Sequence, residues 1–395
     1  MKLTNIRIEY KEDLAFLLAE LQDNQGTHTL YVAVKKENHY LLDDESADCF
    51  LLPALFANFS QGGVLEVDFP ISERLLYQLQ TNFIPAIVQM RPDFKPISIQ
   101  PTQPSSTFSY HPEKVVTGIS CGVDSSYTIT KHQNVPNSAK LTDLILIEQC
   151  ADCYHTLQST IPKNNLRRMD VGKKLGLESI YIWTNFIHYF DYPFEQICTF
   201  HDVATVLALK KGIKTYYYAS SYTLDSFALD FSVAPYYDLF ISSCIATDEF
   251  QMISHSGLVN RVEKTAAIMD NPIVQKNLDV CFHHNARTDI ELINCSKCEK
   301  CIRTMVTLDV LGTLDQFSTI FDLDIYKQNR LFYLGQILYR AHINQSVYDK
   351  EILEQAKKTG FMIPPRAHLY SLFYGADLQR KKVTRNLQVT SVRGE

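Results

Sequence analysis

From Lys114 onward, short apolar runs alternate with segments of helical period, and that alternation leaves few folds open to the chain. KVVTGI, LTDLILIEQ, SIYIWTN and KTYYYAS read as four strands. Between them LRRMDVGKKLGL and FHDVATVLALKKG carry apolar residues at helical spacing, each with a glycine near its end. Strand–helix–strand repetition requires crossover connections, which build a parallel, doubly wound sheet. The expected class is therefore α/β, with ligands at the carboxyl ends of the strands.

The rest of the chain divides around this core. Residues 1–105 mix strand-like runs, HTLYVAVKK and GVLEVDF, with a helix-like SERLLYQLQ, and are expected to form an N-terminal α+β accessory domain. A boundary is placed in KPISIQPTQPSSTFSYHPE, where Pro96, Pro101, Pro104 and Pro112 interrupt a Ser/Thr-rich stretch. Residues 113–278 then form the nucleotide-type domain, 279–315 a cysteine-rich module and 316–395 a helical region. FDLDIYKQNRLFYLGQILYRAHI and YDKEILEQAKKTG are the clearest helices of that last region, and the basic LQRKKVTRNLQVTSVRGE is expected to be a frayed tail. No internal repeat is present.

Composition narrows the function classes. Lys and Arg number 38 against 44 acidic residues, a formal net charge of −6, so charge does not support a nucleic-acid partner, and any such contact would be local. Charges interrupt every apolar run of MKLTNIRIEYKEDLAFLLAELQDNQG, which excludes a signal peptide or span there and points to a soluble, cytoplasmic protein with no membrane partner. Ten cysteines in 395 residues are too sparse for a secreted disulfide scaffold, and reduced thiols are expected.

The strongest local signal is KVVTGISCGVDSSYTI, where a strand runs through Ser120, Cys121, Gly122, Val123, Asp124, Ser125 and Ser126 into a helix. Small residues let backbone amides approach phosphate oxygens, and the helix N-terminus adds a partial positive charge. The hydroxyls of Ser120, Ser125 and Ser126 supply donors, while Asp124 can hold a magnesium ion on pyrophosphate oxygens. A Walker A loop is excluded, because no Gly-Lys-Ser/Thr follows at the required spacing. The bland alternative is a serine-rich turn that caps a helix.

The second signal is Cys281, then thirteen residues, then Cys295, Cys298 and Cys301 at two-residue spacings. Two successive C-x-x-C turns gather three thiolates, and Cys281 completes the tetrahedron that zinc prefers; His283 or His284 are alternative fourth ligands. Four thiolates close the site, so the metal would stiffen the fold and not hydrolyse anything. An iron–sulfur cluster is the rival occupant, since the same ligands serve it.

Ser120–Ser126 resembles the Ser-Gly-Gly-X-Asp-Ser loop of the PP-loop ATP pyrophosphatases, with Cys121 in place of the first glycine. Because cysteine carries a Cβ, Cys121 is expected to avoid positive φ. The loop, the later Cys and C-x-x-C-x-x-C set and a following arginine together resemble the 7-cyano-7-deazaguanine synthase family over about residues 113–312, although Cys281 lies farther from the triplet than in that family. The resemblance implies a Rossmann-like parallel sheet of the PP-loop type with a four-cysteine zinc knot. It also implies ATP, Mg2+ and Zn2+ as cofactors, and activation of a carboxylate or carbonyl substrate, on a small molecule or a modified macromolecule, by AMP transfer with release of pyrophosphate. Catalytic roles would fall to Asp124, Ser125 and Lys264, and nucleotide contacts to residues 120–126 and Arg261, with Asn185 and Ser220 added as nucleotide contacts on strand-end position alone. A homo-oligomer is the candidate assembly.

Other features rest on position. Arg261 and Lys264, three apart, share a helix face that either meets the leaving pyrophosphate or is solvated surface. Asn185 ends the third strand and Ser220 and Ser221 the fourth, where the ligand crevice should lie. His201 is either a nucleotide contact or a satisfied surface or core histidine. Cys150 and Cys153, at the end of the second strand, are either packing residues or the thiols of an ATP-dependent sulfur transferase. A nucleotide-binding module without turnover is the non-enzyme alternative.

Overall fold

The computed structural model describes residues 1–103, 108–156, 160–283 and 292–392, with residues 134 and 381–392 as backbone only. It comprises two compact units, Met1–Ser120 with Thr128–Leu258, and Cys121–Tyr127 with Val259–Glu395. Among the described residues no helix is long and apolar enough to cross a membrane.

The first unit is built on one ten-stranded sheet. Its strands are β1 Lys2–Lys11, β2 Leu14–Asp23, β3 Gly26–Lys35, β4 Gly63–Val67, β5 Ile97–Pro101, β6 Lys114–Gly118, β7 Asp143–Gln149, β8 Glu178–Thr184, β9 Ile213–Ala219 and β10 Gln251–His255. They lie in the order β10-β9-β6-β7-β8-β3-β2-β1-β4-β5. The stretch β10-β9-β6-β7-β8 is parallel throughout. The α/β class and the four strands expected from β6 to β9 are thus present, and β10 is an addition. The chain runs β6, β7, β8 to one side and then returns to place β9 on the other flank of β6. That reversal is the topological switch point, the place at the carboxyl ends of β6 and β9 where open α/β sheets generally bind their ligands.

The expected boundary near residues 96–112 does not separate two compact bodies. β1, β2 and β3 form an antiparallel meander whose last strand pairs with β8, Val32 opposite Thr184 and Val34 opposite Ile182. One apolar core runs from Leu3 and Phe56 to Ile182, Phe200 and Met252. The reason lies in β2: LAFLLAEL is buried from Leu14 through Ala19, so both faces of the strand need cover that a free-standing small unit could not provide.

The second unit is helical. Its core joins Val123 and Tyr127 to Val262 and Ile268, to Cys301, Ile302, Met305 and Leu308, and to Tyr326, Tyr333 and Ile337. The cysteine-rich stretch and the C-terminal helices therefore share a core and do not form the separate 279–315 and 316–395 blocks expected. Polar contacts repeat the point: Tyr326 donates to Asp309 at 2.7 Å, and Tyr333 donates to the Ser296 carbonyl at 3.0 Å. The described part of the basic tail lies in the last helix, which spans Pro365–Val392. No Gly or Pro interrupts Ala376–Val392, and Gln, Arg, Lys and Leu favour helix.

Candidate active site and metal centre

Residues Ser120–Ser126 leave β6 and enter the helix Val123–Lys131. Ser120 is exposed and closes the first unit, whereas Cys121–Tyr127 pack with the second. Val123 and Tyr127 anchor that start in the second unit's core. Ser126 N–H donates to the Gly122 carbonyl at 3.0 Å and Ser125 Oγ to the same carbonyl at 3.3 Å, which closes the first turn. Cys121 corrects the sequence expectation, because its φ is +58°. Its carbonyl accepts the Asp279 N–H at 2.8 Å, a bond that ties the turn to the unit. A left-handed residue with a Cβ costs roughly 1–2 kcal/mol, which the surrounding contacts must offset.

Asp124 lies between two cations. The helix Arg261–Ile268 starts with a capping box, the Asn260 side chain accepting from Glu263 N–H while Glu263 accepts from Asn260 N–H, and this fixes the orientation of its first turn. From that turn Arg261 Nη2 reaches Asp124 at 2.5 Å and Lys264 Nζ reaches it at 3.3 Å. The two basic residues do share a face, as their spacing allowed, and that face is not free surface. Burial pulls the Lys264 ammonium below its ordinary value, and Asp124 pulls it back. Glu351, on the helix Val347–Thr359, accepts the Arg261 backbone N–H at 3.0 Å. Burial pushes its carboxyl up to about 7, against the opposing pull of that N–H and of Arg261 and Lys264.

In the first unit, other expected contacts are engaged in the fold. Asn185 Oδ1 accepts from Tyr31 N–H at 2.9 Å and its Nδ2 donates to the Thr29 carbonyl at 2.7 Å, so its amide holds the β3–β8 seam. Ser220, 2% exposed at the end of β9, donates to the Tyr222 carbonyl at 3.2 Å. Ser221 is half-buried beside it. His201 is buried within the helix Phe194–Leu207, with Nδ1 3.1 Å from Asp202. Cys150 and Cys153 are joined as a disulfide, which corrects the expectation that the thiols are all reduced. Tyr31 O–H donates to the Cys150 carbonyl and accepts from Cys153 N–H, fastening this turn to β3.

The metal-type cysteines do converge. The sulfurs of Cys281, Cys295, Cys298 and Cys301 all lie within 4.8 Å of one another, with Cys298 and Cys301 3.4 Å apart and Cys295 and Cys301 3.7 Å apart. Tetrahedral zinc with bonds of about 2.3 Å needs sulfurs roughly 3.8 Å apart, so donor set and spacing fit a metal ion such as zinc. Two backbone N–H groups, of Lys297 at 3.4 Å and Cys298 at 3.1 Å, point at Cys295 Sγ, and Ser296 adopts φ +59° to make that turn. Cys298 occupies the N-cap position of the helix Glu299–Val310, and the hydrogen bond it shares with Cys301 lowers its thiol from the ordinary value. Cys281 is the fourth member; His283 gives its sulfur a backbone N–H at 3.3 Å, and His284 lies outside the described residues.

Sequence pattern missed Glu351. It sits in a helix with no local signal beyond its period, and only packing brings it to Arg261. Compared with family models, with curated proteins and with solved structures, the chain matches none.

Proposed function

We propose that this protein is an ATP pyrophosphatase of the PP-loop type, which adenylates a carboxylate or carbonyl oxygen and releases pyrophosphate. The observation that carries the reading is Asp124, at the start of a helix that leaves the switch-point strand, held by Arg261 and Lys264. Helix N-termini and clustered cations are the elements that bind phosphate chains. Arg261 and Lys264 would meet the β- and γ-phosphates of ATP, and Asp124 would be the carboxylate that holds a Mg2+ ion, which would supply charge neutralisation of the phosphate chain. The substrate oxygen attacks the α-phosphorus, the bond to the β-phosphate oxygen breaks, and Arg261 and Lys264 stabilise the charge that collects on the departing pyrophosphate. A nitrogen nucleophile then displaces AMP. Gly122, Ser125 and Ser126 would supply backbone and hydroxyl donors to the phosphates. The left-handed φ of Cys121 supports the reading as well, because it occupies the position where the PP-loop pattern has glycine. The four-cysteine set is read as a structural zinc site.

Turnover with a metabolite extract, followed by phosphate analysis, tests the proposal. AMP and pyrophosphate are expected, and ADP with inorganic phosphate would defeat it. A second reading, ATP-dependent sulfur transfer, is favoured by the Cys150–Cys153 bond, since paired sulfurs are what persulfide release needs. Alanine at both positions would abolish that chemistry and leave adenylation intact. Nucleotide binding with no pyrophosphate released would mark a non-catalytic module.

A further inference from the structure

The metal-type centre and the Asp124 cluster are linked by one aromatic ring. Arg303 follows Cys301 by two residues on the helix Glu299–Val310, and its guanidinium lies 4.8 Å from the centroid of Tyr348. The Arg261 guanidinium lies 4.3 Å from the same centroid, and the same group reaches Asp124 at 2.5 Å. Arg303 is fixed in turn by Glu299 at 2.6 Å and Asp349 at 3.5 Å. Tyr348 and Asp349 are adjacent on the helix Val347–Thr359, which Ser346 caps by accepting from Asp349 N–H. Two guanidinium groups repel, yet a ring's π face attracts both. A shared ring therefore brings cations from two helices together and fixes where each can point.

We infer that Tyr348 is a positioning residue that couples the cysteine centre to the Asp124–Arg261 pair, so that ordering of the Cys298–Cys301 turn sets the aim of Arg261. Cys301 and Arg303 are joined through the backbone of one helix, and from there the contacts run Arg303, Tyr348, Arg261, Asp124, every link lying in the second unit. The identity of the anion that Arg261 meets rests on the proposed function; the coupling does not.

The test uses the full chain, as isolated and after metal removal by chelator, with Tyr348→Phe and Tyr348→Leu. Backbone hydrogen exchange of residues 121–127 and 259–268 is followed by mass spectrometry. Metal removal should speed exchange in both segments of the wild type and of Tyr348→Phe, which keeps the ring. In Tyr348→Leu exchange should already be fast, and metal removal should add little. Loss of one cation–π contact predicts an acceleration of roughly 3- to 30-fold. Equal responses in all three proteins would overturn the coupling, as would a Phe variant that behaves like Leu. Binding of inorganic pyrophosphate is measured on the same samples and should weaken with the exchange, about tenfold in Tyr348→Leu and little in Tyr348→Phe. Intact exchange coupling without pyrophosphate binding would overturn the proposed ligand and leave the relay in place, so the two failures are distinguishable.

Discussion

Two clusters of charge, one in each unit, have nearly the same chemistry and different exposures of their carboxylates. In the first unit Lys210 is 0% exposed, and its ammonium lies 2.5 Å from Asp48 and 3.3 Å from Asp43, which are 1% and 2% exposed. Ser46, Ser72 and Tyr110 donate to the two carboxylates, and the Phe108 ring covers the ammonium at 4.5 Å. Burial alone would pull Lys210 down, but Asp48 and Asp43 more than offset it and its pKa is raised. In the second unit one carboxylate, Asp124, meets two cations, and the side chains of Asp124 and Arg261 keep 18% and 20% of their surface. The first cluster is closed: every oxygen has a partner, and it ties the loop after β3 to the chain entering β9. The second is partly open: Asp124 and Arg261 keep some solvent exposure while Lys264 is fully buried, and Glu351 also accepts from Arg261 N–H.

On that distinction, removing Lys210 has the largest cost. Lys210→Met should destabilise the protein by about 3–5 kcal/mol in denaturant titration, because two buried carboxylates are left without their cation. A loss below about 1 kcal/mol would show that the network is not closed. Replacing Cys298 by serine should release metal and lower the melting temperature, with about one zinc per chain in the parent by metal analysis, since a closed thiolate site contributes folding free energy. Iron with sulfide and a brown colour would replace zinc and raise sulfur-transfer chemistry to first place.

Asp124→Asn should reverse the pattern, cutting pyrophosphate release at least ~100-fold, or about 3 kcal/mol of barrier, while stability changes by only about 1 kcal/mol. Near-normal turnover would remove Asp124 from the site. A smaller gain is expected from Cys121→Gly, up to about 1 kcal/mol, because relief of a left-handed Cβ exceeds the entropy that glycine loses. Cys121→Val should lose stability, since a β-branched residue at φ +58° is a steric outlier.

The smallest effect is that of pH through Glu351. Its folded-state pKa is raised, so the folded chain holds a proton that the unfolded chain gives up. The contribution is complete below the ordinary carboxylate range and is lost as pH rises through about 7. Melting temperatures taken from about pH 5 to about pH 8 should fall more steeply for the parent than for Glu351→Gln. Parallel curves would show that Glu351 is ionised throughout.

What the sequence determined by itself was local in character. The α/β class, β6 to β9, the two basic residues on one helix face and the four cysteines all follow from period and spacing within a few dozen residues. These patterns survive folding because i, i+3 and C-x-x-C geometry is set by the backbone. Only the tertiary structure decided the rest. It carried β1 to β5 into the same sheet, since pairing of β3 with β8 joins residues about 150 apart. It closed the Cys150–Cys153 bond, engaged Asn185 in the sheet and gave Cys121 a positive φ. It also brought Tyr348 and Glu351 to Arg261. Each of these depends on burial or on a partner distant in sequence, and neither term is written in local periodicity.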